Sequence, residues 1–438
     1  MKRLLFIVGL LAAVAAELPA QVKSLKSCLE TGLQNNYSLR IVRNEERIAA
    51  NNATKANAGY LPKVDLTAGY SGTLDSRNTR AAGTGGVTRE RNIMDGAVNA
   101  GVTAEWTIFD GYGIQTNYQR LVELKKQGAT QTRIAIEDYL AELTAEYFNF
   151  VQQKLRLKNL SYGVALSKER LRIVQERYLI GNTSRLDLQQ AQVDFNADSA
   201  QSLQQLELLA TSRIRLNELM AMRDMDRLLL VRDTAIDVSA QLNFDSLWSA
   251  TLRNNASLLN AAHGKRLAEL DLKTVLSRNY PYVNLNAGYG YTFNHYGNGA
   301  TQRRHNWGAD FGVTVGFNLF DGNRKRERRN AQIAIENAEL ERENLEITLR
   351  ANLADLWQAY QNNKRLLALE RENLIAAREN HFIAHERYML GDLSGIEMRE
   401  AQKSLLDAEE RILVAQYNTK LCEISLLQVS GNIMHYLD

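Results

Sequence analysis

The most informative segment of the sequence is Glu176-Arg177-Tyr178-Leu179-Ile180-Gly181, which returns as Glu386-Arg387-Tyr388-Met389-Leu390-Gly391 at an offset of 210. Just beyond it, Ala191-Gln192 matches Ala401-Gln402 at the same offset. Self-similarity at a long fixed period indicates that one structural unit is used twice. The sequence therefore predicts an internal tandem duplication.

Further matches upstream extend the two copies over almost the whole chain. Ile108-Phe109-Asp110-Gly111 matches Leu319-Phe320-Asp321-Gly322 at an offset of 211, and Pro62 matches Pro281 at an offset of 219. The second copy is therefore shorter between these two landmarks, which indicates a loop of variable length. We expect a first repeat over 21–221, a linker over 222–242 and a second repeat over 243–438.

The N-terminus has the pattern of a secretory signal peptide. Lys2 and Arg3 precede an apolar run from Leu4 to Ala16, and the chain could be cut after Ala16 or Ala20. The run is shorter than the ~20 residues that span a bilayer, so we assign 1–20 to a signal peptide rather than an anchor. In an exported chain, Cys28 and Cys422 could form a disulfide or remain free thiols.

Two segments in each copy alternate apolar with small or polar residues, which is typical of β-strands. Hairpins are predicted over 62–109 and 281–320, with strands of about 10 to 13 residues, close to the ~9 to 11 of a membrane-spanning strand. Loops rich in Gly, Asn, Thr and Arg are expected over 74–95 and 296–306. Four strands cannot close a barrel, so their edges need neighbouring copies or a cover.

The rest of each copy has the periodicity of long helices that pack as coiled coils. In the first copy, Leu143, Phe150 and Leu157 recur at intervals of seven, and a helix from about Ile114 to Ile180 would be on the order of 100 Å long. Glycine and an N-cap serine then predict a tight turn and a returning helix. Each repeat therefore reads as helix, β-hairpin, very long helix and return helix.

Composition and motifs exclude several functions. The sequence contains only 3 prolines, which permits long uninterrupted helices. Its net charge of +3 is too small to indicate a surface that binds nucleic acid. Neither a phosphate-binding Gly-Lys-Ser/Thr loop nor a nucleophile elbow is present. His381 and His385 lie four apart, but the HExxH pattern is absent, so no metal or cofactor is assigned. We expect that the protein is not an enzyme.

The tandem repeat, the proline-led strand, the Phe-Asp-Gly strand exit and the Arg-Tyr-x-x-Gly turn together resemble the TolC-like outer-membrane efflux protein family. The resemblance covers nearly the whole mature chain. It implies an α+β membrane protein: a homotrimer with four strands per protomer that closes a twelve-stranded barrel, continued by a long α-helical coiled-coil barrel in the periplasm. It also implies a place in the outer membrane of a Gram-negative cell, within its lipid.

The resemblance further implies a gate at the periplasmic turns. In the family, acidic residues often follow the tyrosine of the second turn by nine and twelve positions, and an acidic residue of the first turn can bond that tyrosine in the closed state. Leu393 stands where a basic residue would join this network, so a nearby arginine, Arg185 or Arg399, is a possible substitute. Ordinary solvated helix charges are the alternative for the acidic residues. The gate candidates are Asp187, Tyr388, Glu397, Glu400, Arg185, Gly181 and Gly391.

The function that the resemblance implies is a passive conduit in a tripartite efflux or type I secretion system. Its partners would be a periplasmic adaptor (membrane fusion) protein and an inner-membrane transporter. Drugs, metal ions and proteins all leave cells through this architecture. The alternative is a periplasmic coiled-coil structural or adaptor protein, which needs neither a duplicated hairpin nor strands of membrane length.

Overall fold

The structure is a computed structural model that describes residues 22–80, 83, 86–238, 242–298 and 300–437. The predicted signal peptide, 1–20, lies outside the described residues. The helices in chain order are α1 Leu25–Asn35, α2 Tyr37–Asn52, α3 Lys55–Ala58, α4 Gly113–Leu179, α5 Arg185–Leu219, α6 Phe244–Asn254, α7 Ala256–Ser277, α8 Arg324–Leu390 and α9 Gly395–Val429. The strands are β1 Val22–Lys23, β2 Lys63–Arg80, β3 Val87–Asp110, β4 Leu230–Val231, β5 Tyr282–His295 and β6 Arg303–Gly316. A 3₁₀-helix over Ile433–Leu437 follows α9.

The long helices have matching lengths in the two halves of the chain. Helices α4 and α8 have 67 residues each, and α5 and α9 have 35 each. In the described residues, no helix is both long and apolar enough to span a membrane. The predicted order of helix, strand pair, long helix and return helix is thus present in each half.

The chain divides into two compact units, of which the first includes residues 22–44, 130–259 and 343–437 among those described. Its main core is built on one face of α4, where Leu140, Leu143 and Tyr147 are fully buried at helical spacing. The hydroxyl of Tyr147 donates to Oδ2 of Asp233 at 2.7 Å. The segment predicted as a linker is therefore packed onto this core, and its strand β4 pairs in parallel with β1.

The second unit, residues 45–129 and 260–342, contains a four-stranded antiparallel sheet in the order β2-β3-β5-β6. Register places Leu66 opposite Val102, and Val102 opposite Tyr289, so the apolar residues of the four strands share one face. This face is largely exposed in the single chain, as its members show: Val64, Leu66, Tyr70, Val102, Tyr289, Phe311, Val313 and Val315. Within the described chain, β2 and β6 have a partner on one side only.

The predicted strand lengths were wrong for the first hairpin. Its strands have 18 and 24 residues, so most of the expected 74–95 loop is paired strand, for example Thr79 opposite Thr88. The prediction relied on alternation of apolar residues. In this part of the hairpin the backbone hydrogen bonds continue between polar residues, after that alternation has ended. In the second hairpin, β5 and β6 have 14 residues each, and β6 ends at Gly316, so Phe317 and Leu319 lie beyond the strand.

The two cysteines are free thiols in this structure. Cys28 is buried in the core of the first unit, and its burial raises the pKa of its thiol to about 11. The thiol therefore stays protonated and unreactive at neutral pH.

Candidate functional site

The candidate site is formed by the two helical turns, which we call turn 1, residues 180–184 between α4 and α5, and turn 2, residues 391–394 between α8 and α9. In turn 1, Gly181 has φ +77°, and in turn 2, Gly391 has φ +89°. A side chain would be strained in this left-handed region, which explains the glycine at both positions. The N–H groups of Gly181 and Gly391 donate to the carbonyls of Tyr178 and Tyr388, at 3.0 and 3.1 Å.

Each return helix begins with a capping box, in which serine and an acidic residue satisfy each other's backbone N–H. In turn 1, the N–H of Asp187 donates to Oγ of Ser184 at 3.1 Å, and Oδ2 of Asp187 accepts from the N–H of Ser184 at 3.1 Å. In turn 2, Ser394 and Glu397 make the same pair of bonds at 3.3 and 3.0 Å. Two of the predicted gate carboxylates therefore also hold the first turn of α5 and of α9.

We expect both capping boxes to weaken in acid. Hydrogen bonds from Ser184 and Thr183 lower the pKa of Asp187 below its ordinary 3.8, and those from Ser394 lower the pKa of Glu397 below its ordinary 4.5. Because the folded pKa is depressed, the stabilisation is complete above the unfolded pKa and is lost as pH falls through the folded pKa. Amide exchange of 185–188 and 395–398, corrected for intrinsic rates, should accelerate below about pH 4.5.

The matched control for this titration is the double variant Asp187→Asn with Glu397→Gln. These amides keep an acceptor oxygen but do not titrate in this range. The variant's exchange should show no acid-dependent step at these residues. An equal step in the variant and in the native chain would contradict the assignment to the two carboxylates.

Arg177 links α4 and α8, the helices that lead into the two turns. Its guanidinium lies 4.8 Å from the centre of the Tyr388 ring, and its Nη2 donates to the backbone oxygen of Tyr388 at 2.9 Å. Tyr388 is buried in a cluster with Ile173, Ala384, Met398 and Ala401, against which Leu393 also packs. Burial raises the pKa of Tyr388, so its hydroxyl remains neutral. A cation over a buried ring is a stabilising contact, which here ties α4 to α8.

Behind this contact lies a buried ionic network between α4, α5 and α9. Asp198 accepts a two-point hydrogen bond from Arg399, with both nitrogen-oxygen distances at 2.6 Å, and it also accepts from Oγ of Ser167. A second ion pair, Arg170 with Asp194, lies next to the Asp198–Arg399 pair. Gln402 donates to Oγ of Ser167 at 2.9 Å. Paired arginine and carboxylate groups of this kind satisfy charges that are costly to bury alone.

The network and the turns line a cavity of about 570 Å³, which includes both Asp187 and Tyr388 in its wall. The structure does not join these two residues by a hydrogen bond, since the described partners of the Asp187 carboxylate are Ser184 and Thr183. The bond predicted for a closed state therefore stays a prediction. Glu400 also lines the cavity and is exposed.

The two arginines considered as gate partners have different surroundings. The guanidinium of Arg399 donates hydrogen bonds to the carboxylate of Asp198, and this interaction raises the pKa of Arg399 above its ordinary value. Arg185 is an exposed residue in the first turn of α5. Of these two, only Arg399 lies within a charge network in the described chain.

Sequence reasoning missed Arg170, Asp194 and Asp198. Asp194 and Asp198 are four residues apart, which places them on one face of a helix, but the same spacing is common on solvated faces. Comparison of the two copies contained a signal that these two carboxylates are specific to the first copy, because the second copy has Ser404 and Ala408 at the matching positions.

The imidazoles of His381 and His385 stack with ring centres 6.3 Å apart, and burial lowers the pKa of His381.

Comparisons with known proteins agree with this architecture. The sequence pattern of the family described as Outer membrane efflux protein matches residues 29–221 and 247–432. Outer membrane protein TolC of Vibrio cholerae is 22% identical over an alignment of 458 positions, which covers 99% of this chain and 96% of that protein.

Solved structures show the same fold. The outer-membrane channel OprN superposes with a TM-score of 0.75 at 19% identity, over 93% of this chain and 90% of that one. The CmeC outer membrane channel of Campylobacter jejuni superposes with a TM-score of 0.73 at 18% identity, over 93% of this chain and 85% of that one. At these identities the structures establish a shared fold.

The family match supplies the identity. Its two blocks each run from the first helices of a half, through the strand pair, to the end of a return helix. Members of this family are efflux channels, and the outer membrane is where this chain resides. The chain belongs to the outer membrane efflux protein family.

Proposed function

We propose that this protein is the channel subunit of a tripartite efflux or type I secretion system, a homotrimer that forms a passive conduit from periplasm to exterior. Three copies of the four-stranded sheet would close a twelve-stranded barrel. The helices would continue it in the periplasm, where turns 1 and 2 form the gate. A periplasmic adaptor and an inner-membrane transporter would supply substrate and energy.

The observation that carries the trimer is the sheet itself. Strands β2 and β6 leave backbone N–H and C=O groups unpaired along one side, within the part of the chain that the structure describes. Exposed strand edges are unfavourable in lipid, and pairing β6 of one copy with β2 of the next would satisfy them. The exposed apolar face of the same sheet suits contact with lipid.

The gate is supported by the exposed carboxylates of turn 2. Glu397 and Glu400 are exposed in the first turns of α9, and a threefold axis would convert each into a ring of three carboxylates. Such rings favour cations at a constriction. Because Glu397 also caps α9, a variant must remove its charge without removing its capping oxygen.

Docking of an adaptor is supported by apolar side chains at both turns. Large aliphatic residues are exposed there, which is unusual for the surface of a coiled coil and typical of an interaction site. In turn 1 and its flanks they are Leu179, Ile180 and Leu186, and in turn 2 and its flanks they are Met389, Leu390 and Ile396.

The test is single-channel conductance of the purified protein in planar bilayers, with native chain compared with Glu397→Gln plus Glu400→Gln. We expect discrete conductance steps in both, and a cation-to-anion permeability ratio that falls severalfold in the variant, since up to six carboxylates are neutralised. Glutamine at the capping position retains the capping box, so α9 should stay intact.

Asp407→Asn on α9 is the control, because it removes the same kind of charge far from the turn. It should leave the permeability ratio unchanged. Equal ratios in all three proteins would place the selectivity elsewhere, and absence of conductance from a folded trimer would contradict an open conduit.

A further inference from the structure

Beside the two turns, a contact between helices of the two copies has no repeat-related counterpart among the described residues. Ile173 on α4 packs into the cluster of α8 and α9 that contains Tyr388, and Arg177, one helical turn later, lies over the ring of Tyr388. The first copy thus covers the core of the second copy's helix pair.

At the offset of 210, Ile173 and Arg177 correspond to Ile383 and Arg387, and Tyr388 corresponds to Tyr178. The corresponding core, in the first copy, is the buried cluster of Leu171, Val174 and Ala191 with Leu188 and Phe195 beside it. Both copies therefore have the same helix-pair core, but among the described residues only the cluster of the second copy includes a residue from a helix of the other copy.

Exposure shows the difference. Tyr388 is 3% exposed, whereas Tyr178 is 39% exposed, and Ile173 is 9% exposed, whereas Ile383 is 50% exposed. Arg387 is exposed as well. An isoleucine, an arginine and a tyrosine that are buried or stacked in one copy are thus open to solvent in the other.

We propose that Ile383 and Arg387 of one copy pack on Tyr178 and its cluster in a second copy of this chain. The inference rests on the proposed homotrimer and adds to it the residues that join neighbouring copies at the turns. The contact is head-to-tail, because the donor surface is on α8 and the acceptor surface on α4 and α5. Head-to-tail contacts form a ring when the rotation between copies closes. In a closed trimer, the interface between the two helix pairs of one chain (the in-chain seam) would alternate around the axis with the interface between neighbouring copies (the cross-copy seam).

The two seams differ in charge. The in-chain seam contains the Arg156–Glu410 pair at 2.9 Å and the Arg399–Asp198 pair. The matching positions hold Leu366 with Ala200, and Gln189 with Ala408. These four residues are uncharged, so they cannot form ion pairs across the cross-copy seam. Apolar packing and the stacking of Arg387 on Tyr178 would stabilise that seam instead.

The test is thiol cross-linking of the full-length protein with a short bis-maleimide. The cross-copy pair is Tyr178→Cys with Arg387→Cys, and the matched in-chain pair is Arg177→Cys with Tyr388→Cys, whose contact the structure shows. The in-chain pair sets the length of reagent needed. Each single-cysteine variant, and the native chain with Cys28 and Cys422, provides the background.

We expect the cross-copy pair to yield mainly covalent trimer in a denaturing gel, and the in-chain pair to yield monomer with altered mobility. Each of the two single-cysteine variants, Tyr178→Cys and Arg387→Cys, should give no covalent trimer band. A trimer by native mass measurement that shows no cross-copy product, under conditions that link the in-chain pair, would overturn the contact and leave the trimer standing. A native chain that is monomeric would instead overturn the proposed homotrimer, and this contact with it.

Discussion

Asp198→Ala is expected to loosen the helices next to the turns by about 3 kcal/mol, because breaking a buried ion pair leaves the charge of its partner largely uncompensated. The side chain of Asp198 is 8% exposed and that of Arg399 is 23% exposed, so the arginine would lose both bonds to Asp198 at a largely buried site and would be left with the more distant carboxylate of Asp194, at 4.0 Å. Amide exchange in α5 and α9 around these residues should accelerate about a hundredfold, at about 1.4 kcal/mol per factor of ten.

Two controls make this prediction specific. The double variant Asp198→Ala with Arg399→Gln should recover most of the protection, because no unpaired charge remains, and the other copy carries Ala408 and Gln189 at the matching positions. Glu176→Ala removes an exposed pair with Arg172 and should change little. A single variant as well protected as the native chain would show that the Asp198–Arg399 pair does not help to hold the helices together.

Gly32→Ala is expected to destabilise the core of the first unit by about 2 kcal/mol, although alanine favours helix. A methyl group at Gly32, within α1, would overlap the hydroxyl of Tyr139. That hydroxyl cannot simply move aside, since the ring is buried and its oxygen donates to the carbonyl of Leu219 at 2.8 Å. Exchange of the α1 amides should therefore accelerate about thirtyfold.

Gly264→Ala in α7 is the matched control. It is the same substitution within a helix, but the added methyl would meet no atom of the described chain within 4 Å. The corresponding residue of the first copy, Glu45, already carries a long side chain. We expect Gly264→Ala to stabilise its helix by about 0.5 to 1 kcal/mol. Two variants that shift stability in the same direction would contradict the packing argument for Gly32.

The hairpins show how far periodicity can be trusted. Alternation identified all four long strands and the face that is apolar, because side chains point to opposite faces at each step of a strand. It misplaced the ends, since β2 and β3 continue through Thr79 and Thr88 on polar residues. Backbone hydrogen bonds need no apolar side chain, so a strand can outlast its own pattern.

At turns 1 and 2, the local sequence was sufficient to predict where the helices end and begin. Glycine and serine at fixed spacing predicted both breaks and both N-caps, and the structure places Gly181, Gly391, Ser184 and Ser394 in these roles. The requirements are local, since a left-handed residue and a cap involve only neighbours within one helical turn. The roles proposed for Glu397 and Glu400 as carboxylate rings remain predictions.

The long helices, the strand pairs and the turns could be predicted from the amino-acid sequence, because each depends on residues within a few positions of one another. Packing between distant segments was needed to establish that, in the described part of the chain, Arg177 rather than Arg387 stacks on a tyrosine, and that Asp198 rather than an exposed carboxylate is bonded to Arg399. Two nearly identical Arg-Tyr motifs are locally equivalent. What distinguishes them is which helix lies beside each one, and that depends on packing between segments about two hundred residues apart.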